Sequence, residues 1–142
     1  MKASARNQFF GKVEELRRGT VNAEVVVGLK GGDRLVASVT MESAQALGIA
    51  RGSEVVALVK APQVVIVTDM GGYHLSARNQ LQGSISRLQK GAVNAEVVIR
   101  LPGGESMYAT VTNDAVDDLG LKVGTIATAV FKAGAVILGV AA

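Results

Sequence analysis

Ser4-Ala5-Arg6-Asn7-Gln8 and Ser76-Ala77-Arg78-Asn79-Gln80 spell one pentapeptide twice, 72 residues apart, and the offset runs without a gap to the end of the chain. Residues 4–70 and 76–142 are therefore two copies of one unit, identical at roughly two positions in five. A unit of about 70 residues buries only about 60% of its unfolded-chain surface and is marginal alone. With 49% hydrophobic residues and only 4% aromatic, its core must be Val, Ala, Leu and Ile. Such a unit is expected to share apolar surface with a neighbour or another chain, so an oligomer is expected.

Outward from the first pentapeptide, residues 5–17 read as a bent strand. Phe9, Val13 and Leu16 point inward, and Gly11 permits a bulge or a close backbone approach. Residues 21–29 form a second, β-branched strand; Lys30-Gly31-Gly32-Asp33 is a hairpin turn; residues 34–40 return with Leu35, Ala37 and Val39 alternating. The period then changes. Thr40 can cap a short helix with Ser43 in its first turn, Ala44 and Leu47 on its apolar side, and Gly48 as its stop. Residues 54–60 are a fourth strand, Pro62 interrupts, and residues 64–68 are a fifth. Residues 69–74 hold a glycine pair that suits a hinge.

The second copy repeats the order, with strands at 80–88, 93–101, 106–112, 126–132 and 136–140 and a helix at 114–119 closed by Gly120. Five strands and one short helix per copy is the element count of a Greek-key barrel of the OB type. The expected fold is all-β: two tandem OB-like five-stranded Greek-key barrels, residues 1–70 and 76–142, joined by a linker at 71–75.

Net charge is +3 and the isoelectric point near 9.5, but the basic residues are scattered rather than clustered as nucleic acid requires. The absence of cysteine excludes thiolate metal sites, disulfides and cysteine nucleophiles. Met1-Lys2-Ala3-Ser4 leads directly into the repeat, and no stretch of about 18 apolar residues follows. A cytoplasmic protein without a membrane partner is expected. The single histidine, His74, lies in the linker, and no acid pair or nucleophile motif recurs in both copies, which argues against an enzyme.

The polar residues common to the copies point to a small anion. Ser4 and Arg6 alternate along an extended segment, so the hydroxyl and the guanidinium emerge on one face, and Ser76 and Arg78 repeat the arrangement. Lys60 and Lys132 close apolar strands and are each followed by Ala; ordinary snorkelling explains one such lysine, whereas the repeat makes it a second cation for a dianion. Thr40, Ser43 and Thr112 stand at helix starts, where capping is the ordinary role and anion binding an alternative. Val21-Asn22 and Val93-Asn94 lie in turns that could present amides to a ligand on an assembly axis. A set made of donors alone favours a fully deprotonated tetrahedral dianion over hydrogenphosphate, whose proton would face a donor. Sulfate, molybdate and tungstate satisfy that condition.

SARNQ followed by Gly, then VNAEV, a T-x-x-S helix start and K-A-P after the fourth strand resemble the Mop domain of molybdate-binding proteins. Two such domains resemble the di-Mop molbindins of the cytoplasmic ModG type, and the resemblance covers essentially the whole chain. It implies OB-like Mop domains assembled as a homotrimer that stores or buffers molybdate, or tungstate, at interfaces between domains and subunits. By matching motif it implies one ligand set of Ser4, Arg6, Asn7, Lys60 and Ala61 and another of Ser76, Arg78, Asn79, Lys132 and Ala133. Thr40 and Ser43, and Thr112, would come from the adjoining domain, and Val21, Asn22, Val93 and Asn94 would form a further axial site. The second copy departs from the motif at Ala115, where the first has Ser43, and at Gly134, where the first has Pro62. Two other readings stay open: an OB-type single-stranded nucleic-acid-binding protein, which needs stacking aromatics, and a structural assembly module.

Overall fold

The computed structural model describes residues 1–141. The first copy supplies β1 (Asn7–Arg18), β2 (Asn22–Leu29), β3 (Arg34–Thr40), α1 (Met41–Ala46), β4 (Glu54–Val59) and β5 (Val65–Val67). The second supplies β6 (Asn79–Lys90), β7 (Asn94–Arg100), β8 (Ser106–Thr112), α2 (Asn113–Leu119), β9 (Ile126–Phe131) and β10 (Ile137–Val140). Short 3-10 turns at Ala61–Gln63 and Ala133–Ala135 precede β5 and β10. The all-β class, the five-stranded sheets and the single helix per copy are as expected.

The sheets are antiparallel and run β10-β4-β1-β2-β3 and β5-β9-β6-β7-β8, so each takes four strands from one copy and its fifth from the other. β5 lays Val65, Ile66 and Val67 against Val130, Ala129 and Thr128, while β10 returns along Leu58 to Val55. The receiving edges, β4 and β9, are both short apolar strands. This reciprocal exchange ties two small units into one. A single cluster of buried side chains runs through both, from Phe9, Val13 and Val27 to Ile99, Met107 and Phe131.

Period-2 burial is regular in β2, where Ala23, Val25, Val27 and Leu29 are inward. The bend in β1 arises from a register shift between Val13 and Glu15. Gly11 serves the close approach instead: a Cβ there would collide with the Gly28 carbonyl. Thr40 and Thr112 cap the helices, each hydroxyl oxygen accepting from the third residue on, Ser43 N–H at 3.0 Å and Ala115 N–H at 3.1 Å. The two hairpin tips meet face to face at Gly31 and Gly103, where either Cβ would strike the other's backbone. Gly103 N–H donates to the Asp33 carboxylate at 3.0 Å across that meeting.

Candidate functional site

β1 starts beside the end of β4, with Asn7 opposite Val59, and β6 starts beside the end of β9, with Asn79 opposite Phe131. Continued by one residue beyond the paired segments, that register carries Arg6 opposite Lys60 and Arg78 opposite Lys132. The turn at Ala61–Gln63 packs on β8, and the turn at Ala133–Ala135 packs on β3. Each cationic pair therefore stands at the junction with the strand that ends in the other copy's capping threonine. Arg6 itself reaches that strand at Tyr108, four residues before Thr112, and Asn79, next to Arg78, bonds the other strand at Val36, four residues before Thr40.

Asn7 and Asn79, grouped with the ligands on sequence, use their side chains otherwise. Asn7 Nδ2 donates to the Tyr108 carbonyl at 2.8 Å, and Tyr108 N–H donates back to Oδ1 at 2.7 Å. Asn79 repeats this with the backbone of Val36, at 2.7 and 2.8 Å. Both are buried, 1% and 2% exposed, and each amide completes an edge strand of the other copy with its oxygen and one of its two Nδ2 hydrogens. Gln8 and Gln80 hold the preceding segment in shape: Gln8 donates to the carbonyls of Ala3 and Ala5, and Gln80 to those of Leu75 and Ala77. Ser4 and Ser76 sit exposed on those ordered segments, while Ala61 and Ala133 are buried beneath the lysines.

The arginines meet carboxylates that the sequence reading left out of the site. Arg6 Nη2 donates to Glu96 Oε1 at 3.1 Å and stacks over the Tyr108 ring, 4.6 Å from its centroid. Arg78 Nη1 donates to Glu24 Oε2. Glu24 and Glu96 sit in the duplicated VNAEV segment and form the only acidic position identical in both copies, which is the signal that marks them. They correct the donors-only expectation, because each site also contains one acceptor group. Glu24 has a second cation near it: Arg17 Nη1 lies 3.9 Å from Oε1, an oxygen that is buried and without a hydrogen-bond partner. Arg17 Nε donates to Glu15 at 2.8 Å. That hydrogen bond and charge, with a smaller push from Glu24, raise the guanidinium above its ordinary value. Among the described residues neither Lys60 nor Lys132 is in an ion pair.

The Val21-Asn22 and Val93-Asn94 turns adjoin the helix starts of their own copies, through Met41 N–H to Val21 O and Asn113 N–H to Val93 O, both 2.8 Å. Val21 and Val93 are each 70% exposed. The copies differ where the sequence indicates. Thr40 Oγ1 donates to Ser43 Oγ at 2.8 Å, whereas Ala115 brings no hydroxyl beside Thr112.

The TOBE domain family matches residues 3–66 and again 75–138. The chain is 49% identical over 140 residues to the molybdenum transport protein ModE of Herbaspirillum seropedicae, covering 99% of this chain and 52% of that protein. It is 40% identical over 138 residues to the molybdenum-pterin-binding protein MopA of Rhodobacter capsulatus, covering 97% and 52%. The chain thus spans about half the length of the curated relatives it matches. Among solved structures, the cytoplasmic molybdate-binding protein ModG with molybdate bound superimposes with a TM-score of 0.96 at 56% identity. That match covers 99% of this chain and all of ModG.

Proposed function

The chain belongs to the TOBE-domain family, two copies in one polypeptide, and from that membership we propose that it binds molybdate, with tungstate as substitute, for intracellular molybdenum storage and homeostasis. The observation that carries this reading is the placement of the duplicated cations. In both copies an arginine and a lysine stand together at the junction with the other copy, against the strand that carries its capping threonine. Two cations balance one dianion, and the guanidinium fork, the ammonium, the serine hydroxyl and the threonine end supply directed donors around it. The ligand sets are Ser4, Arg6, Lys60 and Ala61 with Thr112, and Ser76, Arg78, Lys132 and Ala133 with Thr40 and Ser43. Val21, Asn22, Val93 and Asn94 form the axial site of a homotrimer. Exposed Phe10, Val65, Ile126 and Ile137 support such an assembly by leaving apolar barrel surface for other copies. In this reading residues 1–70 and 76–142 are the two repeat domains that together build each site, the protein is a cytoplasmic binding protein without catalysis, and the anion is its cargo. No described helix is long and apolar enough to cross a membrane.

Nucleic-acid binding fits the surface less well. Phe9 and Phe131 are buried and Arg6 covers Tyr108, which leaves Phe10 and Tyr73 as the exposed aromatics, far short of a stacking platform. Calorimetric titration with molybdate tests the proposal on the wild type and on the double variant Arg6→Ala, Arg78→Ala. The affinity is expected to fall about a hundredfold, with native mass spectrometry still reporting three chains. Unchanged stoichiometry and affinity in the double variant would refute the assignment.

A further inference from the structure

Each binding arginine already holds a carboxylate, and the two carboxylates differ in where they can go. Resting on the oxyanion reading above, we propose that Glu24 and Glu96 are internal counter-anions that the incoming oxyanion displaces. We further propose that Arg17 receives Glu24, so that the Arg78 site binds at lower anion concentration than the Arg6 site.

A carboxylate presents the same acceptor edge to a guanidinium as two oxygens of a tetrahedral anion, so carboxylate and ligand compete for one fork. Both arginines are about half exposed, and an ion pair screened by that much solvent is weak enough for a dianion to break. The displaced carboxylate then remains beside the anion as a like charge unless another cation takes it up. Glu24 has that cation directly opposite on the ladder: Arg17 faces it across β1 and β2. Oε1 of Glu24 is already turned to Arg17 Nη1 at 3.9 Å, buried and lacking a hydrogen bond. Glu15 fixes Arg17 through Nε and leaves the Nη groups for Glu24. A small rotation of Glu24 satisfies the orphaned oxygen and releases Arg78.

Among the described residues Glu96 has no equivalent second cation. Gln89 faces it, uncharged and engaged by Arg87 at 2.8 Å. Arg6 is held besides by the Tyr108 ring, where the other copy has Val36. Glu24, Glu96 and Arg17 thus act through the arginines, as positioning residues that set which site fills first.

The two copies provide the substitutions for a test. Each site is isolated in turn, the Arg78 site by Arg6→Ala and the Arg6 site by Arg78→Ala, and titrated with molybdate by calorimetry. In the Arg6→Ala background, Arg17→Gln should weaken binding by about three- to fivefold and Glu24→Gln should tighten it. With Glu24→Gln present, Arg17→Gln should have no further effect. In the Arg78→Ala background, Gln89→Arg should tighten binding, Glu96→Gln should tighten it more, and Arg17→Gln should leave it unchanged. A general structural role for Arg17 would move both backgrounds equally and would survive Glu24→Gln. Either result overturns the proposal, as does weakening by Glu24→Gln. Loss of arginine dependence in the parent protein would instead refute the molybdate reading itself; arginine-dependent binding that ignores Glu24, Glu96 and Arg17 refutes only this inference.

Discussion

Glu24 lies between two arginines and Glu96 beside one, although both occupy the same position of the same repeat. The surroundings of the two sites have diverged while their cations have not. At the Arg78 junction the opposing strand leads to Thr40 and a second hydroxyl at Ser43, and the competing carboxylate has a place to go. At the Arg6 junction the strand leads to Thr112 and Ala115, and an aromatic ring holds the arginine. Duplication supplied two copies of one charge pattern, and drift in neighbouring residues gave the two glutamates different second partners. The difference resides in second partners of the charged groups rather than in the groups themselves.

The comparison breaks most severely at the residues that join the copies. Asn7→Ala leaves the part-buried Tyr108 N–H and carbonyl unpaired and should destabilise the fold by about 3 kcal/mol, lowering the melting temperature by about 10 °C. Asn79→Ala should match it through Val36, because here the copies are still equivalent. Unequal losses, read by calorimetric or optical melting, would show that the junctions differ in packing as well as in charge.

Smaller changes sharpen the contrast between the sites. Ser43→Ala should weaken molybdate binding at the Arg78 site by about fivefold, the value of one hydrogen bond to an anion at a wet site. Ala115→Ser should strengthen the Arg6 site by a similar factor, both read with the other site removed. Gly134→Pro restores the first copy's Pro62 at a position where an added Cβ meets nothing within 4 Å. It should stabilise the fold by about 0.4–1 kcal/mol by restricting the unfolded chain, and a destabilised variant would mean that the two turns differ in backbone path.

Strands, caps and hairpins were legible in the sequence because alternation, Thr at a helix start and Gly-Gly in a turn are local signals. The exchange of β5 and β10 was not, since β4 and β9 are similar short apolar edges and alternation along a strand does not say which edge it joins. For the site, the Ser/Arg/Lys repetition identified the cations and the register then placed them together. The structural role of Asn7 could not be read from sequence, because its partner, Tyr108, is 101 residues away and only the fold brings the amide to that backbone. Glu24 and Glu96 carried a usable mark, identity in both copies, but an acidic residue has no place in a donors-only picture of an anion site. Their role becomes visible only as the carboxylates meet the arginines of the opposite copy.

The central claim is that cations of one copy and a strand end of the other enclose a tetrahedral dianion at both junctions. Anomalous diffraction from crystals grown with tungstate locates the metal atom directly. The account predicts one peak beside Arg6 and Lys60 and another beside Arg78 and Lys132, with Glu96 and Glu24 turned off the arginines. Peaks confined to other surfaces, with both guanidinium groups still on their glutamates, would contradict it.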